Sequence, residues 1–218
     1  MEWRPLLDLF FPPQCASCNA LGAGLCDGCA PRGEPICVRL PGLAVIALGS
    51  YEDALRAAVL ALKDGRRDVA EALAQIVARR VPAGTLLVPI PTTAKRRRVR
   101  GLDGVALVAR HAAALAGAEV VLALEQRSGD AQRGRSRAAR LAAHGRFACH
   151  APSIAAKRVT LFDDVCTTGS TLRDCAAAVR EAGGVVQDAI VIGVALREAG
   201  TPDAATKSGH PWREPIAN

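Results

Sequence analysis

The chain has 218 residues, half of them hydrophobic, with 22% charged residues and a mean hydropathy of +0.16; such a chain can fill a core, which excludes disorder as its default state. The formal net charge is +7, but residues 95–146 alone carry +8, so the basic excess belongs to one segment. No apolar run approaches the roughly 20 residues that span a bilayer, and Met1-Glu2-Trp3-Arg4-Pro5 lacks the layout of a signal peptide, so a cytoplasmic protein without a membrane span is expected.

Residues 1–40 read as a small module. Eight cysteines without a secretory signal argue for metal or redox chemistry over a disulfide framework. Four of them form two close pairs, Cys15-x2-Cys18-x7-Cys26-x2-Cys29. Each pair can turn both sulfurs toward one point, and two such knuckles complete a tetrahedral thiolate site for structural zinc. A segment this small has too little core to fold unaided, so a metal supplies the missing stability. Redox cysteines are the alternative. Cysteine fills every ligand position, which leaves none for water and speaks against catalytic zinc. Cys37, Cys149, Cys166 and Cys175 are scattered and read mostly as small buried hydrophobes.

Residues 41–197 read as one α/β domain. Residues 43–48 form an apolar strand. Residues 53–63 and 69–80 carry apolar residues at helical spacing, with Asp68 as N-cap of the second helix. Residues 85–91 form a short strand closed by prolines, 102–116 an Ala-rich helix and 120–124 a further strand. The stretch 126–146 holds six arginines without strand alternation; it reads as a long loop, which in a compact domain points to a task such as a lid. Residues 159–162 form a strand, 171–182 a helix and 185–196 a long apolar strand. The tail, 198–218, is expected to be disordered. Near-continuous Val/Ile/Leu strands alternating with helices predict an α/β fold, a parallel sheet with helices on both faces.

The most informative segment is Val159-Thr160-Leu161-Phe162-Asp163-Asp164-Val165-Cys166-Thr167-Thr168-Gly169-Ser170-Thr171. A buried strand ends in two adjacent carboxylates, followed by a hydroxyl-rich turn and then a helix. The turn and the helix N-terminus offer free N–H groups and the positive end of the dipole, which favours a phosphate. Thr167, Thr168, Ser170 and Thr171 add hydroxyl donors, and Gly169 lets the backbone come close. In an open α/β sheet this loop lies at the carboxyl end of a strand, where ligands bind. A ribose 5-phosphate reconciles the acids with the anion cradle. The loop takes the phosphate, while Asp163 and Asp164 accept hydrogen bonds from the sugar hydroxyls. Neither GxxxxGK[ST] nor GxGxxG occurs. The plainer alternative is a strand end followed by a helix cap.

These residues resemble the phosphoribosyl pyrophosphate motif of type I phosphoribosyltransferases. From about residue 6 to 197 the chain resembles the ComF family, which joins a four-cysteine zinc module to such a domain. The likeness is carried by Leu6-Leu7-Asp8-Leu9-Phe10-Phe11-Pro12-Pro13, by Leu62-Lys63-Asp64-Gly65, by Val88-Pro89-Ile90-Pro91 with Arg96, Arg100 and Gly101, and by Gln132 and Arg140. Arg100-Gly101-Leu102-Asp103-Gly104 stands where the family usually reads RGFNQ.

The resemblance implies a phosphoribosyl pyrophosphate or nucleotide-like ligand, and transfer of phosphoribosyl to an acceptor that no residue identifies. Asp163 and Asp164 would hold the ribose hydroxyls and stabilise the charge that develops as pyrophosphate leaves. Thr167, Thr168, Gly169, Ser170 and Thr171 would bind the 5-phosphate. Thr92, with Lys95, Arg96 or Arg100, would face pyrophosphate, and Arg140 would belong to the lid. Mg would bridge substrate oxygens, since it prefers them to a full protein cage. The alternative is a non-catalytic accessory protein of competence and DNA uptake, which binds single-stranded DNA through the basic segment. A solvated arginine-rich face is the blander account of that segment. The oligomeric state is unknown from sequence.

Overall fold

Apolar residues at every second position give a strand two sides, and in this chain both sides of the sheet are buried. The computed structural model describes residues 12–91, 103–127 and 146–195. In chain order its elements are β1 (Ile36–Leu40), β2 (Leu43–Ser50), α1 (Asp53–Lys63), α2 (Arg67–Ala78), β3 (Leu86–Pro89), α3 (Gly104–Ala116), β4 (Glu119–Val120), β5 (Leu124–Gln126), β6 (Phe147–Cys149), β7 (Arg158–Cys166), α4 (Ser170–Glu181) and β8 (Val185–Val194). A 3-10 turn, Pro152–Ile154, precedes β7.

Six strands form the main sheet in the order β1-β2-β8-β7-β3-β4. Every neighbouring pair is parallel except β1 and β2, which run antiparallel. One side of the sheet presents Ile46, Leu48, Leu87, Phe162, Ile190 and Ile192 to α1, α2 and α3. The other presents Val45, Ala47, Val88, Leu161, Ala189 and Val191 to α4 and to the antiparallel ribbon of β5 and β6. The expected α/β class, with helices on both faces of a parallel sheet, is therefore the fold, and the odd–even split within each strand is its cause.

Several boundaries differ from the expectation, each for a local reason. Residues 36–40 are a strand that the sequence reading did not separate from the cysteine segment. Ile36, Val38 and Leu40 are half-buried between exposed Cys37 and Arg39, the alternation of a half-covered edge strand. Helix α2 begins at Arg67, so Asp68 is not its N-cap; the Arg66 guanidinium takes that carboxylate instead. The strand expected at 120–124 splits into β4 and β5, because the chain leaves the sheet after the Val121 N–H bonds to the Leu87 carbonyl at 3.1 Å. The span expected as a loop at 126–146 is closed at its foot by β5 pairing with β6 and by the Arg127 N–H donating to the Arg146 carbonyl at 2.9 Å. Residues 128–145 of that span and the tail from 196 lie outside the described residues.

The chain order creates a crevice. After β3 the chain runs through α3 to β4 at the sheet edge, whereas after β7 it runs through α4 on the opposite face to β8. Adjacent strands whose connections diverge define a topological switch point at their carboxyl ends. Phe162 pairs with Pro89, the last residue of β3, so β7 projects beyond its neighbour from Asp163 onward.

Candidate functional site

The expectation that β7 stops at Phe162 is corrected. The strand runs through Asp163 and Asp164 to Cys166, because β8 continues to pair with it as far as Val194. Both carboxylates thus sit on the half-paired tip of a central strand, partly buried. Each is turned along the chain by the next amide: the Asp164 N–H donates to Asp163 Oδ1 at 2.9 Å, and the Val165 N–H donates to Asp164 Oδ1 at 2.7 Å. Lys63, at the last turn of α1, places its ammonium 2.9 Å from Asp164 Oδ2. Among the described residues the two acids therefore differ: Asp164 is paired with a cation and Asp163 is not.

Burial is the main cause that pushes the Asp163 carboxyl up to about 7, and the Asp164 charge adds to it; the Asp164 N–H and the Lys63 ammonium pull the other way. A carboxyl raised on folding binds a proton more tightly in the folded state, so its stabilising contribution is complete below the unfolded value and is lost as pH climbs to about 7. Urea unfolding of the wild type and Asp163→Asn between pH 4 and pH 8 tests this. The wild type should lose stability relative to the variant up to about pH 7, with a slope no steeper than about 1.4 kcal/mol per pH unit, and then run parallel to it. Parallel curves throughout would remove the buried proton.

Beyond Cys166 the chain turns through Thr167 and Thr168 to Gly169, which holds φ at +69° as the residue before α4. The left-handed backbone favours glycine there, and any Cβ would also push aside the Leu40 side chain, whose Cδ1 would lie 2.2 Å from it. Among the described residues, the N–H groups of Thr167 and Thr168 have no backbone acceptor. The Thr168 hydroxyl lies 3.3 Å from Ser170 Oγ and 3.4 Å from the Ser170 N–H. Asp163 and residues 165–172 line a shallow hollow open to solvent. Five of the expected phosphate residues (Thr167, Thr168, Gly169, Ser170 and Thr171) and one of the two acids thus meet at one cavity, with Asp164 beside it.

Thr92, Lys95, Arg96, Arg100 and Arg140 lie outside the described residues. Two partners in the site were not singled out for a role from the sequence. In the sequence Lys63 stands only within the Leu62-Lys63-Asp64-Gly65 block, and Arg146 is one of six arginines between 126 and 146. An isolated lysine ending a helix was the available signal for the first; nothing local distinguishes the second.

The four N-terminal cysteines converge as their spacing implies. Their sulfurs all lie within 4.8 Å of one another, and Cys18 and Cys26 are 3.6 Å apart. Four sulfurs about 2.3 Å from a central zinc stand about 3.8 Å from each other, so this group could hold such an ion. Burial raises the Cys15 thiol, but the amides of Cys18, Cys26 and Ser17 outweigh it and bring it down to about 6. Ser17 lowers the Cys29 thiol, yet the neighbouring Cys18 and Cys26 sulfurs prevail and push it up to about 12.

The cysteine segment is seated on the domain. Cys15 and Leu25 are buried in the same core as α1, α2 and α3, and a Cβ on Gly24 would lie 2.4 Å from the Asp68 backbone. The Arg66 guanidinium also donates to the Gln14 carbonyl.

No protein-family model and no curated protein matches the chain. Among solved structures it is similar to glutamine phosphoribosylpyrophosphate amidotransferase from B. subtilis, at 21% identity and a TM-score of 0.44 over 56% of this chain and 26% of that one. It is also similar to an allosteric regulatory enzyme of purine biosynthesis, at 19% identity and a TM-score of 0.42 over 58% and 26% of the two chains. The chain thus spans about a quarter of the length of these two proteins. Adenine phosphoribosyltransferase from Leishmania tarentolae is similar at 15% identity and a TM-score of 0.41, over 72% of this chain and 81% of that one. On its own topology, the chain is a mixed α/β protein with a mostly parallel sheet and a cluster of four cysteines at its N-terminal end.

Proposed function

We propose that the chain binds phosphoribosyl pyrophosphate, or a related ribose 5-phosphate compound, at the tip of β7 and acts as a phosphoribosyltransferase of the ComF kind. The observation that carries this reading is the placement of Asp163 and Asp164 at the topological switch point, directly before an N–H-rich turn and the start of α4. Thr167 to Thr171 surround the 5-phosphate with amides and hydroxyls, and Asp163 and Asp164 accept from the ribose hydroxyls. The same carboxylates stabilise positive charge on the ribose ring as the leaving group departs. Thr92, Lys95, Arg96 and Arg100 follow β3, whose end pairs with β7 next to Asp163, and are assigned to pyrophosphate; Arg140 is assigned to substrate as part of the arginine-rich lid. When bound with the ligand, Mg would neutralise pyrophosphate oxygens. Structural zinc is assigned to Cys15, Cys18, Cys26 and Cys29 on the sulfur spacing.

The concentration of charge in residues 95–146 supports a second reading, single-stranded DNA binding in an uptake apparatus. Titration calorimetry separates the two. Phosphoribosyl pyrophosphate should give saturable, Mg-dependent heats at one site per chain, which a single-stranded oligonucleotide does not reproduce. Heats from the oligonucleotide alone, independent of Mg and steeply weakened by salt, would replace the first reading with the second.

A further inference from the structure

The hollow at the phosphate turn is lined by Asp163, by hydroxyl residues and by the apolar Val165 and Leu172, so its described lining contains a carboxylate and no basic side chain. Among the residues of that lining, a phosphate would meet the Asp163 carboxyl and, as favourable charge, the positive end of the α4 dipole. Arg146 stands just outside that lining. Its Nη2 donates to Ser170 Oγ at 3.2 Å and its Nε donates to Asp174 Oδ2 at 2.8 Å. Ser170 and Asp174 are four residues apart in α4, so they share one face of the helix and the guanidinium spans them. The Arg146 backbone is anchored through its carbonyl to the Arg127 N–H, and Phe147 beside it is buried. Its side chain remains 53% exposed, so the head group can turn while the backbone stays.

We propose that Arg146 is a phosphate-binding residue of this site and that Asp174 holds its guanidinium beside the turn until a phosphate displaces the carboxylate. This rests on the ribose 5-phosphate reading given above. A guanidinium fork fits two phosphate oxygens at once, and Ser170, already its partner, lines the hollow. The half-exposed pair with Asp174 is weakly held against water, so it yields to a dianion that offers two charged acceptors. Exchange of one acceptor for another moves no proton and needs no shift of the fold.

The test compares dissociation constants for ribose 5-phosphate and for ribose, measured on the wild type, Arg146→Met and Asp174→Asn. Arg146→Met should weaken ribose 5-phosphate about tenfold, the worth of a charge-assisted contact, and leave ribose unchanged. Asp174→Asn should tighten ribose 5-phosphate about threefold, because the competing carboxylate is gone. Arg146→Lys should recover part of the loss, since it restores charge without the fork. A residue that only braces the fold would change melting temperature and not the ratio of the two ligands. Unchanged affinity in Arg146→Met, or weaker binding in Asp174→Asn, overturns the proposal while leaving the ribose 5-phosphate site standing. If Arg146→Met does not fold, the sign of the Asp174→Asn change decides. Equal affinity of the wild type for ribose and ribose 5-phosphate overturns the site itself, and the role of Arg146 with it.

Discussion

Asp164→Asn is expected to abolish the thermal stabilisation that phosphoribosyl pyrophosphate with Mg gives the wild type. The substitution keeps the size of the side chain and an oxygen for the Val165 N–H, but removes the charge that accepts from ribose hydroxyls and pairs with Lys63. A ligand at a hundred times its dissociation constant adds about 2.7 kcal/mol to stability. For a protein of this size that raises the melting temperature by roughly 5–10 °C, and the variant should lose that rise. The free variant should melt close to the wild type, because asparagine keeps the volume of the side chain and the contact with the Val165 N–H while only a partly buried pair is lost. A scan with and without ligand reads both numbers. If the variant still rises by as much as the wild type, Asp164 does not touch the ligand.

Removal of metal from the cysteine cluster should have the largest effect on the free protein. Purified protein should contain one zinc per chain, and stripping it should lower the melting temperature by roughly 10 °C or more, since thiolate zinc sites contribute folding free energy directly. The effect should exceed that of unfolding a loose appendage, because Cys15 and Leu25 are buried against the helices of the main core. Cys15→Ser should cost more than Cys18→Ser. Both remove a ligand, but Cys15 is buried in the core beside the helices and Cys18 is exposed, so only the first also disturbs core packing. Melting curves of chelated and loaded protein, with metal content measured on the same samples, check this. Superimposable curves after zinc has been stripped would remove the metal from the account.

The class of the fold was legible because it depends on pattern. Buried parallel strands must be apolar on both faces, and β2 and the second half of β8 announce themselves as apolar runs. The meeting of Thr167, Thr168, Gly169, Ser170 and Thr171 with Asp163 was legible because the whole set is contiguous: a strand, a turn and a helix fix it without help from the rest of the chain. What escaped depends on distance in sequence. Lys63 lies 101 residues from Asp164 and reaches it only because the fold brings the last turn of α1 to the tip of β7, which no local spacing encodes. Arg146 reaches Ser170 because β5 and β6 fold back on each other across a long intervening stretch. The ends of β7 and α2 were misplaced for a related reason. Carboxylates look like terminators in a propensity count, but Asp163 is kept in the strand by its neighbour β8, and Asp68 is drawn from the cap position by Arg66.

The seating of Gly24 against the start of α2 bears on how such a protein could be built or borrowed. Because the cysteine segment contributes Cys15 and Leu25 to the core that α1, α2 and α3 share, it behaves as a keystone. A chain trimmed to begin past Leu40 would wet that helix and also forfeit the outer strand whose leucine leans on Gly169. Grafting the segment onto an unrelated domain would in turn require that host to present a bare helix backbone at the right spot.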